Sequence, residues 1–192
     1  MILLNNSLVP PGYHLVDYIS ANDNAYITTN IYLNSESCVY ADVLFRGAGN
    51  TYGCYSGSTA KDNLCLYAGS TANAYVRWDG SIQRVFNPTA EVRYKIKHSY
   101  QGFYVDGVLY GTPFSDGSHN HFECSAPFRV GNLSNSNADK FKGRIYRVYV
   151  IDDGKITIDL RPCYDEVNEV YGLYDVVGQH FYESESSNFQ HN

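Results

Sequence analysis

Cleaving a glycosidic bond takes two carboxyl groups about 5 to 9.5 Å apart, one on each side of the bond. On a strand this means acids at alternate positions of one face, and no E-x-D-x-E run occurs in the 192 residues. Acids gather instead at Asp165, Glu166 and Glu169, in a stretch that reads as a loop, and at Asp152-Asp153 before a glycine. Both groups read as solvated turn residues. Nucleophilic catalysis has no better footing: there is no G-x-S-x-G elbow, and Gly57-Ser58 is loop sequence. The five cysteines (Cys38, Cys54, Cys65, Cys124, Cys163) are odd in number and none has C-x-x-C spacing. They indicate neither a zinc site nor a disulfide framework and read as small buried thiols in a reducing compartment, the alternative being one disulfide formed after lysis. The expectation is therefore no catalytic residues, no metal and no enzyme.

Two other groups of residues could bind without reacting. His119-x-His121, continued by Glu123, has a usable metal-ligand spacing, but Asp116-Gly117-Ser118 ahead of it marks a loop, and exposed loop histidines are the simpler reading. Sugar binding asks for flat aromatic faces beside amide, carboxylate or guanidinium groups. Trp78 next to Arg77 meets that description best, followed by Tyr52 and Tyr55 in a glycine-rich stretch. The alternative for the same residues is that Trp78 fills the core and the tyrosines form cross-strand pairs. At the start of the chain, Ile2, Leu3, Leu4, Leu8 and Val9 precede Pro10-Pro11. Residues 1–11 read either as a frayed terminus or as an extended arm that docks on a neighbouring subunit by strand addition.

The elements that must carry these residues are strands. Nineteen tyrosines, 16 glycines and a single methionine make a β-rich, turn-rich composition without periodic runs of helix formers. Between Gly143 and Tyr182, alternation sets Tyr146, Val148 and Val150 against Ile145, Arg147 and Tyr149, and then Ile156, Ile158 and Leu160 against Thr157, Asp159 and Arg161. Asp153-Gly154 turns one run into the other, and Pro162 is expected to end the second strand. Asp106-Gly107 predicts a second hairpin pairing Val105 with Val108 and Tyr104 with Leu109. About a dozen short strands with turn signals every 8 to 12 residues mean a sandwich or barrel. Residues 12–192 read as one domain, a length that can bury about 70% of the unfolded surface.

The formal net charge of −6 argues against nucleic acid and against an anionic membrane surface. No apolar run approaches the roughly 18 residues a membrane-spanning helix needs. MILLNNSLVPPG lacks a basic leader, so no signal peptide is expected.

The motifs also carry a resemblance. GRIY, IDDGK, DLRPC, GLYD and HFY in the last third, Phe103-Tyr104-Val105-Asp106-Gly107 in the middle, and GYHLVDYISANDNAYITTNI from Gly12 to Ile31 resemble laminin-G/concanavalin A-like jelly-roll domains of phage structural proteins and gut-bacterial surface proteins. Thr28 and Asn30 stand where that family usually has an acid and a glycine. The resemblance implies an all-β, two-sheet antiparallel jelly-roll sandwich. It implies a non-enzymatic phage virion structural or decoration protein with other virion proteins as partners, host glycans as a further ligand and the virion as its location. The alternative is a carbohydrate-binding or glycan-active domain of a bacterial surface protein. A rim calcium is a habit of such relatives, and Asp139 with Asn135 and Asn137 offers the hard oxygens.

Overall fold

Alternation of apolar and polar residues makes strands here, and paired strands bury one face. The computed structural model describes residues 8–22, 25–47, 49–54, 64–70, 73–78, 81–110, 123–132 and 140–191. In chain order the strands are β1 (Tyr13–Leu15), β2 (Ile19–Ala21), β3 (Ile27–Thr28), β4 (Cys38–Phe45), β5 (Gly49–Cys54) and β6 (Leu64–Ser70). Then come β7 (Asn73–Trp78), β8 (Ser81–Phe86), β9 (Val92–Ser99), β10 (Gly102–Val105) and β11 (Val108–Tyr110). The series ends with β12 (Arg129–Val130), β13 (Gly143–Asp152), β14 (Lys155–Asp165), β15 (Val170–Asp175) and β16 (His180–Glu183). Among the described residues no helix is long and apolar enough to cross a membrane.

The strands form two antiparallel sheets. The larger, of ten strands, runs β11-β10-β9-β4-β13-β14-β15-β16, with β1 on β14 and β2 on β13; the smaller, of six, runs β3-β12-β5-β6-β7-β8. Val39, Ala41, Val43, Ile145, Val148, Val150, Ile158 and Leu160 from the first sheet meet Tyr52, Leu64, Leu66, Val76, Phe128 and Val130 from the second in one core. This is the packing of two inner sheet faces that a sandwich requires.

Both Asp-Gly hairpins form. Asp153 and Asp106 take φ of 48° and 50°, Gly154 and Gly107 take 73° and 82°, and Val105↔Val108 and Tyr104↔Leu109 pair in the expected register. Three local expectations need correction. A β-bulge between Ile145 and Arg147 shifts the parity of β13, so Ile145 is fully buried with Val148 and Val150 while Tyr146 turns outward. Pro162 does not end β14, which continues to Asp165. Its carbonyl accepts from Val16 N at 3.0 Å, so its nitrogen faces the same edge. There β14 changes neighbour from β13 (last pair at Leu160) to β1 (first pair at Cys163), so the missing N–H interrupts no ladder.

The third correction concerns Asp165, which is buried at 3% exposure, not solvated. Its carboxylate accepts from Val167 N, Asn168 N and Asn168 Nδ2, closing the β14–β15 loop. Asp175 repeats the device one strand later, accepting from Val177 N and Gly178 N in the β15–β16 loop. Glu169 (φ 55°) and Gln179 (φ 52°) occupy the same position in the two loops.

Candidate functional site

The outer face of the ten-stranded sheet carries the residues that alternate with the buried ones. Across five strands the register aligns Tyr104 (β10), Lys97 (β9), Tyr40 (β4), Tyr149 (β13) and Asp159 (β14). Tyr40 and Tyr149 stack with centroids 4.5 Å apart and planes 3° from parallel. The Arg147 guanidinium lies 4.4 Å from the Tyr149 ring centroid, and Lys97 Nζ lies 5.1 Å from that of Tyr104. Both stacked hydroxyls remain donors at any physiological pH. Burial, then the neighbouring Cys38, pushes Tyr40 up to about 12, and burial also raises Tyr149 against the opposing pull of Arg147.

Asp159 is the electrostatic anchor of this face. Arg147 donates from Nε (2.7 Å) and Nη2 (2.8 Å) to its two oxygens, and Arg161 does the same at 3.0 Å each. Burial opposes ionisation of Asp159, yet the two guanidiniums prevail and hold its carboxyl below the usual range. Each arginine gives Asp159 two of its five N–H groups; the others find no acceptor among the described residues. Side-chain exposures of 32% and 29% leave both guanidiniums within reach of solvent. A second pair, Arg93 to Asp42 at 2.6 and 2.7 Å, lies alongside. Arg93 covers Tyr146 at 3.7 Å, and Arg144 covers Tyr18 at 4.1 Å. The result is a half-exposed surface of flat rings interleaved with guanidinium donors and carboxylate acceptors.

No family model matches the chain, and no curated protein does. Solved structures do match. Among them is the crystal structure of a "putative carbohydrate binding protein" from Bacteroides ovatus ATCC 8483, with a TM-score of 0.53 and 16% sequence identity over 89% of this chain. The fold is an all-β jelly-roll sandwich of two antiparallel sheets. This chain spans 58% of the length of that protein.

The jelly roll does not bring the residues expected to hold sugar to one surface. Trp78 is 6% exposed and packs against the His98 ring at 5.5 Å, and Tyr52 is fully buried against Phe128 and His98. Both belong to the core, so neither offers a face to a sugar. Their parity shows why: Trp78 continues the buried positions Ala74 and Val76 along β7. Backbone pairing sets Arg77 opposite Cys65, but its side chain lies outside the described residues, as do Tyr55, His119, His121, Asn135, Asn137 and Asp139. Glu123 is described, exposed and bridged to Asn34. No cluster of three or more His, Cys, Asp or Glu that could hold a metal occurs among the described residues. Of the apolar docking set, Ile2, Leu3 and Leu4 lie outside the described residues and Leu8 is 52% exposed. Val9 packs on its own sheet beside Leu15, Cys163 and Tyr174, which removes it from a free arm.

The residues that sequence reasoning passed over are Tyr40, Tyr149, Arg147, Asp159 and Arg161. Their outward parity was visible in the alternation of each strand. Their meeting was not, because β4 joins β13 across about a hundred residues of chain.

Proposed function

We propose that this domain holds carbohydrate, without cleaving it, on the outer face of its ten-stranded sheet around Tyr40 and Tyr149. The observation that carries the reading is the parallel tyrosine stack bordered by Arg147, Arg161 and Asp159. Sugars bury their C–H faces on aromatic rings and exchange hydrogen bonds at their edges, and this surface offers both. The likeness to a protein whose description names carbohydrate binding supports the same reading. The non-enzymatic part is supported by how its carboxylates are engaged: Asp159 and Asp42 hold arginines, while Asp165 and Asp175 close loops. The charge of the face favours acidic glycans. Arg93, Lys95, Lys97, Arg144, Arg147 and Arg161 take outward positions against Asp42, Asp159, the Asp17 near Arg93 and the Asp152 bonded to Thr157, in a chain of formal net charge −6.

A glycan array followed by calorimetry on the best ligand tests this. Tyr149→Ala is expected to weaken binding about tenfold, equivalent to about 1.4 kcal/mol, while the thermal midpoint moves little. Unchanged affinity would remove the face from the reading, and hydrolysis of a bound polysaccharide that is lost on changing one acid would overturn its non-enzymatic part. The virion setting, with other virion proteins as partners, is a second reading that rests on the sequence resemblance. Mass spectrometry of purified particles tests it: the protein at stoichiometric copy number supports it, and its absence ends it.

A further inference from the structure

One arrangement occurs twice on the outer face of the ten-stranded sheet. In the first copy Arg147 donates two N–H bonds to Asp159, and its guanidinium lies 4.4 Å from the Tyr149 ring centroid. In the second Arg93 donates two to Asp42, and its guanidinium lies 3.7 Å from the Tyr146 ring centroid. Each unit is a carboxylate that fixes a guanidinium over a phenol ring. The first draws on β13 and β14, the second on β4, β9 and β13. Arg147 also stands in register with Asp42 across β4 and β13, so the units adjoin. Tyr146 and Tyr149 are three residues apart, a spacing that points side chains to opposite faces of an unbroken strand. The bulge between Ile145 and Arg147 removes that mismatch and leaves both rings on the outer side. Along β13 the units are then on the order of 10 Å apart, at about 3.3 Å per residue.

Resting on the reading that this face holds carbohydrate, the geometry points to a ligand that repeats as the site does. It is a linear polysaccharide whose uronic acids recur at the disaccharide spacing, lying along β13 with successive acids on the Tyr149 and Tyr146 units. An extended disaccharide is about as long as the separation of the two rings. Each guanidinium gives its aspartate two of five N–H groups, and side-chain exposures of 32% for Arg147 and 49% for Arg93 bring the outer edge to solvent. There a sugar carboxylate accepts charge-assisted bonds while the C–H surface of its ring packs against the neighbouring phenol. Asp42 and Asp159 do not repel it as bare charges, because each is matched by its guanidinium and Arg161 adds a second at Asp159. Asp17, which bonds His191 at 2.7 Å, adds a carboxylate near Arg93, and Lys95 stands in register with Asp42 to oppose it.

Calorimetry with hyaluronan and chondroitin oligosaccharides of defined length tests this. The tetrasaccharide carries two uronates and should bind about tenfold or more tighter than the disaccharide, because the second unit engages within the same complex. The carboxyl-reduced tetrasaccharide should lose that gain. Tyr146→Ala and Arg93→Gln should each bring the tetrasaccharide within about twofold of the disaccharide, and Arg93→Gln alters an exposed side chain, so it reports even where Tyr146→Ala folds poorly. Equal affinity for the two lengths, equal binding of the carboxyl-reduced chain, no effect of either variant, or no binding of both acidic series would overturn the repeating ligand. Tyr149→Ala separates the failures. Glycan binding that this variant weakens, with a flat length series, ends the repeat and keeps the face; glycan binding that it leaves unchanged ends the face itself.

Discussion

The two faces of the ten-stranded sheet treat buried ionisable groups in opposite ways. On the inner face, His98 is fully buried among Trp78, Tyr52 and Phe103, and burial alone lowers its pKa to about 3. On the outer face, Asp159 is nearly as buried, at 4% exposure, yet stays ionised because two guanidiniums clamp it. The same low-dielectric sheet thus accommodates a base by discharging it and an acid by pairing it. What separates the outcomes is whether the register delivers a counter-charge. Arg147 stands diagonal to Asp159 on β13, and Arg161 stands two residues along β14, whereas aromatic rings surround His98.

The largest consequence is acid sensitivity on the inner side. The folded pKa of His98, about 3, lies below the free value of 6.5, so the unfolded chain takes up a proton that the folded one refuses. Stability is therefore full above about pH 6.5 and falls as the pH drops towards 3, where the loss levels off. Linkage puts this loss at about 3 kcal/mol by roughly pH 4. Urea titrations of the wild type and His98→Phe at neutral pH and near pH 4 measure it. The variant should lose that much less on acidification, and equal losses would show that His98 takes up no proton on unfolding.

Asp159→Asn is the next largest test and acts in a different pH range. Asp159 is held below its usual carboxyl range, so its contribution is present above about pH 4 and is lost only as the pH falls through the lowered value. Removing the charge leaves Arg147 and Arg161 facing each other. At neutral pH this should cost about 2 kcal/mol, less than a fully interior pair because water reaches both guanidiniums. Chemical denaturation reads the cost directly. If it vanished, the outer clamp would be decoration, and the contrast between the faces would reduce to His98 alone.

How much of this contrast could be read from the chain depends on range. Within a hairpin, Asp106-Gly107 and Asp153-Gly154 specify positive φ, and that fixes the neighbouring register. The buried parity of Val148, Val150, Ile158 and Leu160 follows from alternation. The bulge at Ile145 leaves no composition signal, so the parity of Tyr146 was misassigned. Asp165 reads as a solvent acid because two of its three donors are backbone N–H groups, which carry no sequence identity. The hint was the pattern itself: Tyr164-Asp165-Glu166-Val167 recurs ten residues on as Tyr174-Asp175-Val176-Val177. Trp78 drew attention because Arg77 is beside it, while its parity with Ala74 and Val76 pointed to the core. The Tyr40–Tyr149 stack depends on β4 and β13 becoming neighbours, a pairing fixed by the whole sandwich and by no local run. Gly143 helps to fix it, since a Cβ there would collide with the Leu44 carbonyl oxygen across the β4–β13 pair.

The smallest effect separates geometry from burial as the source of the clamp's strength. Asp42 and Arg93 make the same two-pronged contact as Asp159 and Arg147, at 2.6 and 2.7 Å, but the Arg93 side chain is 49% exposed. Exposed pairs are worth about 0.2 to 1 kcal/mol because water screens them and the side chains must be held still. A double-mutant cycle on Asp42 and Arg93 should give a coupling in that range, falling towards zero near 1 M salt, where screening acts over about 3 Å. The parallel cycle on Asp159 and Arg147 should give a larger coupling that salt reduces less. Equal couplings would mean that guanidinium–carboxylate geometry sets the energy wherever it occurs. Unequal ones would assign the difference to the depth at which Asp159 is held in the sheet.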